Sequence, residues 1–339
     1  ALNRRFDVVV ANPPYMGSSS FNPFMSKWMK KHYPDSCKDL CTAFIERGYT
    51  LVRDNGYAAM VTMQSWMFLG SFEKMRQRVI DEKTILTMAH LGPRAFDAIG
   101  GEVVSVTANV LYNGKATIKG GYARLVDING SEPKREKLLE AIHNPTCSWF
   151  YRAVATTFHD IPGFPIAYWA SEGLHAAFRS GIPLASLCVA RDGIHTCNND
   201  LFLRRWWEPS RKLESLTDDE ANHSKCWFAY NKGGSFRKWR GNNEYVIDWE
   251  NDGERLRRAP NAHGFNGGYA FKSSITWSSI SSGKPAFRHK PKGFMFDAAG
   301  YSMFCQEALT QQELCGFANS SVAEAMLSFL SPTLNYQAG

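Results

Sequence analysis

Two consecutive prolines, Pro13 and Pro14, stand just behind the run Phe6-Asp7-Val8-Val9-Val10-Ala11. That run is short, apolar and rich in β-branched residues, the pattern of a buried strand in a parallel sheet. Proline donates no backbone hydrogen bond and restricts the residue before it. The ladder must therefore stop at Asn12, and no helix can begin there directly. Any fold this chain adopts has to carry Asn12-Pro13-Pro14-Tyr15 as a rigid turn at the carboxyl end of a strand. In open α/β sheets that end is where ligands bind.

The rest of the first half fits such a sheet. Leu40, Phe44, Leu51 and Val52 share one face of a helix predicted from about Lys38 to Arg53, stopped by Asp54-Asn55-Gly56. Tyr57 to Met63, Ile85 to Leu91 and Val103 to Tyr112 read as strands. Ser71 is placed to cap a helix whose inner face is Phe72, Met75 and Val79. Asn113-Gly114, between Tyr112 and Ala116-Thr117-Ile118, signals a type I′ hairpin. Ser131 to His143 reads as a helix with Pro133 in its first turn. The alternation predicts a doubly wound α/β sheet with a hairpin at its edge. Near Ile161-Pro162-Gly163-Phe164-Pro165 the texture shifts toward Trp, Gly and Ser. A boundary is expected at about residue 165, with a first domain over 1–165 and a mixed α/β second domain over 166–339. The second closes on a helical stretch from Gln306 to Leu330.

The net charge of +7 is unevenly spread: Lys225 to Lys292 holds 13 Lys and Arg against 5 Asp and Glu, while Gly293 to Gly339 has no Lys or Arg. The basic block also contains Trp227, Trp239, Trp249 and Trp277. Cations interleaved with aromatics suit a polyanion with stackable bases; a solvated surface over a Trp-rich core is the plainer alternative. Arg237, Lys238 and Arg240 surround Trp239, and Arg204 and Arg205 adjoin Trp206-Trp207. Both clusters are candidate DNA contacts, set against arginines simply packed along aromatics. No run nears the roughly 20 apolar residues that span a bilayer, so no membrane partner is expected. The 8 cysteines form no CxxC and the 9 histidines no HExxH or HxH. No metal site is expected, and a reducing cytoplasm fits best. His90, at a predicted strand end, reads as a satisfied core histidine.

The Asn-Pro-Pro-Tyr turn has a chemistry of its own. An amine attached to an aromatic ring is a poor nucleophile, because its lone pair is delocalised. When the Asn12 side-chain oxygen and the Pro13 carbonyl accept its two N–H bonds, the nitrogen is drawn toward sp³ and that pair is freed. The two prolines hold the carbonyl and place no competing donor beside it. Tyr15 can stack on the ring, a contact of about 1–3 kcal/mol. The competing reading is a purely structural turn.

These residues resemble a known family. DVVVANPPY is similar to the motif of the S-adenosylmethionine-dependent methyltransferases that act on N6 of adenine in DNA. DLCTAFIERGYTLVRDNGYAAMVTMQSWMF and HLGPRAFDAIGGEVVSVTANVLY resemble the motifs that follow it. The resemblance implies a Rossmann-like methyltransferase sheet, of which this chain holds the later half. It implies that Phe44 packs near the cofactor's adenine, and that Tyr15 and Phe96 sandwich the flipped target base. MVTMQSWMFLGSFEKMR, RAFDAIGGEVV, NNDLFLRRWWE, YNKGGSFRKWRGNNEYVIDWENDG and SPTLN narrow the likeness to the PglX-type methyltransferases of BREX phage-defence systems. This implies double-stranded DNA as partner, a target-recognition domain in the second half, and further phage-defence proteins around it. The family's glycine-rich cofactor loop lies upstream of the Asn-Pro-Pro-Tyr motif, and only eleven residues precede Asn12 here. The expectation is a chain that starts inside the catalytic domain and is inactive alone. Two alternatives stay open: a non-catalytic DNA-recognition module, and a methyltransferase of the same motif acting on RNA or a protein glutamine amide.

Overall fold

The computed structural model describes residues 4–96, 104–215, 225–279, 284–306 and 310–330. Of the sequence features singled out above, residues 97–103 of the HLGPRAFDAIGGEVVSVTANVLY string, with the start of the strand expected from Val103, residues 307–309 of the last helical stretch and the SPTLN string lie outside them. The chain divides into two compact units, Ala1–Gly181 and Ile182–Gly339.

The first unit runs β1 (Phe6–Ala11), α1 (Pro23–His32), α2 (Leu40–Leu51), β2 (Val52–Met63), α3 (Glu73–Glu82), β3 (Thr84–Gly92), β4 (Val106–Tyr112), β5 (Gly120–Arg124), α4 (Ser131–His143), β6 (Phe150–Ala153) and α5 (Glu172–Ser180). Its six strands form one mixed sheet in the order β1-β2-β4-β3-β5-β6. β1 is parallel to β2, and β4 lies antiparallel between β2 and β3. Ala11 pairs with Met60, while Thr62 and His90 both face Thr107, so the carboxyl ends of β1, β2 and β3 share one end of the sheet. The core on this sheet includes Met60, Trp66, Met75, Val79, Ile85 and Tyr122.

Several expectations need correction. The antiparallel strand sits inside the sheet, not in an edge hairpin. Neither Asn113 nor Gly114 takes the left-handed backbone that a type I′ turn requires. Asn113 instead clasps the bulge in β2: its N–H donates to the Gly56 carbonyl and its own carbonyl accepts from Asn55. The chain then passes on to β5, which pairs in parallel with β3. β1 is not buried in this chain: among the described residues its strand partner is β2. Phe6, Val8 and Val10 are 41%, 54% and 76% exposed, while Val9 and Ala11 turn toward the core. The inner face of α2 is Cys41, Thr42, Ala43, Ile45 and Gly48, leaving Phe44 exposed. α3 begins after a 3₁₀ turn, with no side-chain cap from Ser71, although Phe72, Met75 and Val79 are buried as expected. The division falls at Gly181/Ile182 and not near 165, since Ile166 and Tyr168 belong to the first unit's core.

The second unit comprises β7 (Cys188–Arg191), α6 (Asn199–Phe202), β8 (Leu203–Arg205), β9 (Glu214–Ser215), β10 (Trp227–Asn231), β11 (Tyr245–Asp248), α7 (Glu250–Arg257), β12 (Ser274–Thr276), β13 (Arg288–Lys290), β14 (Met295–Phe296), β15 (Ser302–Cys305), α8 (Gln311–Ala318) and α9 (Ser321–Leu330). One sheet has the order β14-β10-β11-β8 with β9 also on β10, and the other β13-β12-β15-β7. Trp249 packs with Phe228, Tyr230 and Met295, and Trp277 with Phe287, Met303 and Leu314. Two of the four tryptophans in the basic block are thus core residues. α8 carries a full capping box between Thr310 and Glu313.

Candidate functional site

The strand β1 ends where the prolines require. Past it, Pro13 is buried, Tyr15 half-buried, and Asn12 and Pro14 exposed. The turn is stapled to the start of α2: the Leu40 N–H donates to the Met16 carbonyl at 2.9 Å, and the Ser18 N–H to the Lys38 carbonyl at 2.9 Å. Asp39 fixes that helix end by accepting from the Cys41 N–H at 2.9 Å. On this frame the Tyr15 hydroxyl donates to Asn12 Oδ1 at 3.2 Å. Burial, and then the neighbouring Cys41 thiol, push the Tyr15 phenol up to about 12. Tyr15 therefore keeps its proton at neutral pH and holds the Asn12 amide with its oxygen as acceptor. That oxygen has a second lone pair for a ligand N–H. The Cys41 thiol, also pushed up by burial and by Asp39, is no nucleophile.

The neighbouring strand ends supply groups that the sequence reading did not assign. β2 leads into a 3₁₀ turn at Gln64–Met67, and the Gln64 N–H donates to the Ser105 carbonyl at 2.9 Å. The Gln64 carboxamide meets His90 Nε2 at 2.8 Å, and His90 Nδ1 meets the Tyr168 hydroxyl at 2.9 Å. Tyr168 stacks on Tyr122 at 4.6 Å, and Trp169 stands edge-on to Phe68 at 5.9 Å. The available clue was the position of Gln64 directly after a predicted strand. Tyr168 and Trp169 were hidden by their placement beyond the expected boundary. Phe96 follows β3 at the same end of the sheet as Tyr15 and is half-buried.

His90 is a structural residue, as its sequence position suggested. Burial, with Arg124 and Lys134 nearby, lowers its pKa from the usual 6.5 to about 3. The folded state resists protonation that the unfolded chain accepts, so its contribution to stability is intact above about pH 6.5 and is lost as the pH falls toward 3. The melting temperature of the first unit should fall over that window, and His90→Gln should flatten the dependence in a scanning-calorimetry pH series.

Among the described residues, no group of three or more His, Cys, Asp and Glu is placed to hold a metal ion. Phe44 presents a ring, 37% exposed, from a helix whose neighbouring positions are buried. Such a ring fits an aromatic ligand.

In the second unit the two basic-aromatic clusters come together. β8 pairs with β11, and the Trp206 N–H donates to the Glu244 carbonyl at 3.0 Å. The Glu244 carboxylate pairs with Arg237 at 3.2 Å. Arg205 lies over Tyr245 at 4.3 Å and over Trp207 at 5.8 Å; Arg204 lies over Trp227 at 5.6 Å. Lys238 Nζ donates to the Asn319 carbonyl at 3.1 Å. Trp207, Phe236 and Trp239 are 57%, 57% and 53% exposed. Arginines packed on rings, beside the exposed Trp207, Phe236 and Trp239, are suited to phosphate and base faces together. No helix of the described residues is long and apolar enough to cross a membrane.

Comparison with known proteins adds the following. The family model described as "Eco57I restriction-modification methylase" matches residues 1–96. The chain is 42% identical to the adenine-specific methyltransferase PglX of Lacticaseibacillus casei (strain Zhang), over all of this chain and 29% of that protein. It is 40% identical to the adenine-specific methyltransferase BrxX of Escherichia coli O9:H4 (strain HS), over all of this chain and 27% of that protein. The chain thus spans under a third of the curated relatives it matches. Among solved structures, the type IIL restriction-modification enzyme MmeI in complex with DNA shares the fold over 87% of this chain and 40% of its own, with a TM-score of 0.55 at 13% identity.

Proposed function

We propose that this chain, similar along its whole length to the adenine-specific methyltransferases PglX and BrxX, carries the base-holding and DNA-gripping parts of an N6-adenine DNA methyltransferase. The observation that carries this reading is the Tyr15-to-Asn12 hydrogen bond, on a double-proline turn at a strand's carboxyl end. It presets an acceptor for an aromatic amine before any base arrives.

The first unit supplies the later half of a Rossmann-like methyltransferase sheet, and the second unit is the target-recognition part. The flipped adenine stacks on Tyr15, with Phe96 on its other face. Asn12 Oδ1 and the Pro13 carbonyl accept the two N6 hydrogens and turn the lone pair outward for in-line attack. S-adenosylmethionine, when bound, supplies the methyl group; Phe44 is the residue of this chain placed to stack on its adenine. After transfer the amine is cationic and releases a proton. Tyr15, held protonated by its surroundings, does not take it, and Asn12 and Pro13 are not bases, so the proton leaves to solvent. In a BREX-type system the methyl mark would label the host genome as self, together with other phage-defence proteins.

The test is calorimetric titration of S-adenosylmethionine into this chain and into a longer form extended upstream to the span of its relatives. We expect binding by the longer form alone, and methyl incorporation by that form into duplex DNA but not into RNA. Binding by neither would leave a DNA-recognition module as the surviving reading.

A further inference from the structure

Between β10 and β11 the chain forms a loop, residues 232–244, whose construction is expensive. Trp239 sits at φ +74°, in the left-handed region that bulky residues avoid. The ring does not compensate by entering the core, for it is 53% exposed, as is Phe236 at 57%. The loop is nonetheless held firmly. Trp239 donates its N–H to the Phe287 carbonyl and accepts from the His289 N–H, both at 2.9 Å.

Two cations of β13, each 1% exposed, hold the loop backbone from below. Arg288 donates to the Arg237 carbonyl at 3.3 Å. Lys290 Nζ donates to the carbonyls of Gly241 and Asn242 at 2.9 and 2.8 Å, and to the Asn243 side chain. Burial opposes charge on both, lowering Lys290 to about 7 and Arg288 to about 10, so the loop is held by donors kept out of water at a cost. The outcome is a rigid tip that aims one indole outward, flanked by Arg237 and Arg240.

We propose that Trp239 is a preformed wedge that inserts between stacked base pairs of bound duplex DNA, while Arg240 contacts the flanking phosphates. This rests on the nucleic-acid reading of the second unit and gives the mode of contact. An indole has a single N–H donor, so it reads base edges poorly, but its face stacks on any base. Rigidity matters here because a wedge that is already ordered loses little entropy on insertion. Sequence preference would then arise from how readily a base step opens.

The experiment uses this chain with fluorescently end-labelled 30-base-pair duplexes of mixed sequence, reading affinity by anisotropy and bending by energy transfer between the ends. Trp239→Ala should weaken binding by roughly 5- to 150-fold. It should also abolish the bend at saturating protein while leaving the salt dependence unchanged. Trp239→Phe should keep most of both. Arg240→Ala should weaken binding with the bend retained and lower the salt slope by about one. Circular dichroism of each variant separates loss of contact from loss of fold. Binding and bending by Trp239→Ala equal to the parent would overturn the wedge alone. Absence of duplex binding by the parent chain would overturn the wedge and the nucleic-acid reading together.

Discussion

Asn12→Ala, in a longer cofactor-binding form of the protein, is expected to slow adenine methylation by roughly 10²–10³-fold, the usual cost of deleting one preorganised electrostatic contact to a reacting group. Duplex affinity should be unchanged, because the phosphate and stacking contacts lie elsewhere. Tyr15→Phe separates the two roles of the tyrosine. The ring remains for stacking, and only the 3.2 Å hydrogen bond to Asn12 is lost. A drop of less than about tenfold is expected, matching one modest hydrogen bond. Tyr15→Ala should lose both and approach the Asn12 variant. Single-turnover incorporation of labelled methyl groups into duplex DNA reads all three. Parental rates for Asn12→Ala would reduce the turn to a structural element.

The largest effect on stability should come from Arg76→Ala. This guanidinium lies in α3 with no exposure. It donates to the carbonyls of Trp66 at 2.9 Å, Leu69 at 2.6 Å and Gly163 at 3.1 and 2.5 Å. Burial lowers its pKa to about 10, with Glu73 acting in the opposite direction, so it remains charged at neutral pH. Removing it takes the side-chain donor from the Trp66 and Gly163 carbonyls and leaves Leu69 with the Phe72 N–H alone, for a cost of about 3–5 kcal/mol. For a unit of this size the melting temperature should fall by roughly 10 °C. Arg76→Lys should recover only part, since one ammonium cannot span acceptors set so far apart. Calorimetric scans would show this, and a shift below about 2 °C would contradict the clip.

Arg76 also explains one misplacement from the sequence. Mid-helix, with charged neighbours, it reads as a solvent-facing residue. In the fold it faces inward and ties the segment around Gly163 to the turn after β2, so residues that read as a linker belong to the first unit. Strands and helices that rest on local patterning were legible: β1, the second half of β2, β3, β4 and α4 lie where periodicity placed them. The failures were long-range. Asn113-Gly114 carries a hairpin signal, but its partner is the bulge at Gly56, more than fifty residues earlier. Phe44, expected on the inner face of α2, is exposed because an apolar side chain does not declare which face of a helix the sheet will cover. At the site, the turn was visible because proline chemistry is local. The Gln64–His90–Tyr168 chain was not, because three strand and loop ends must first be brought together.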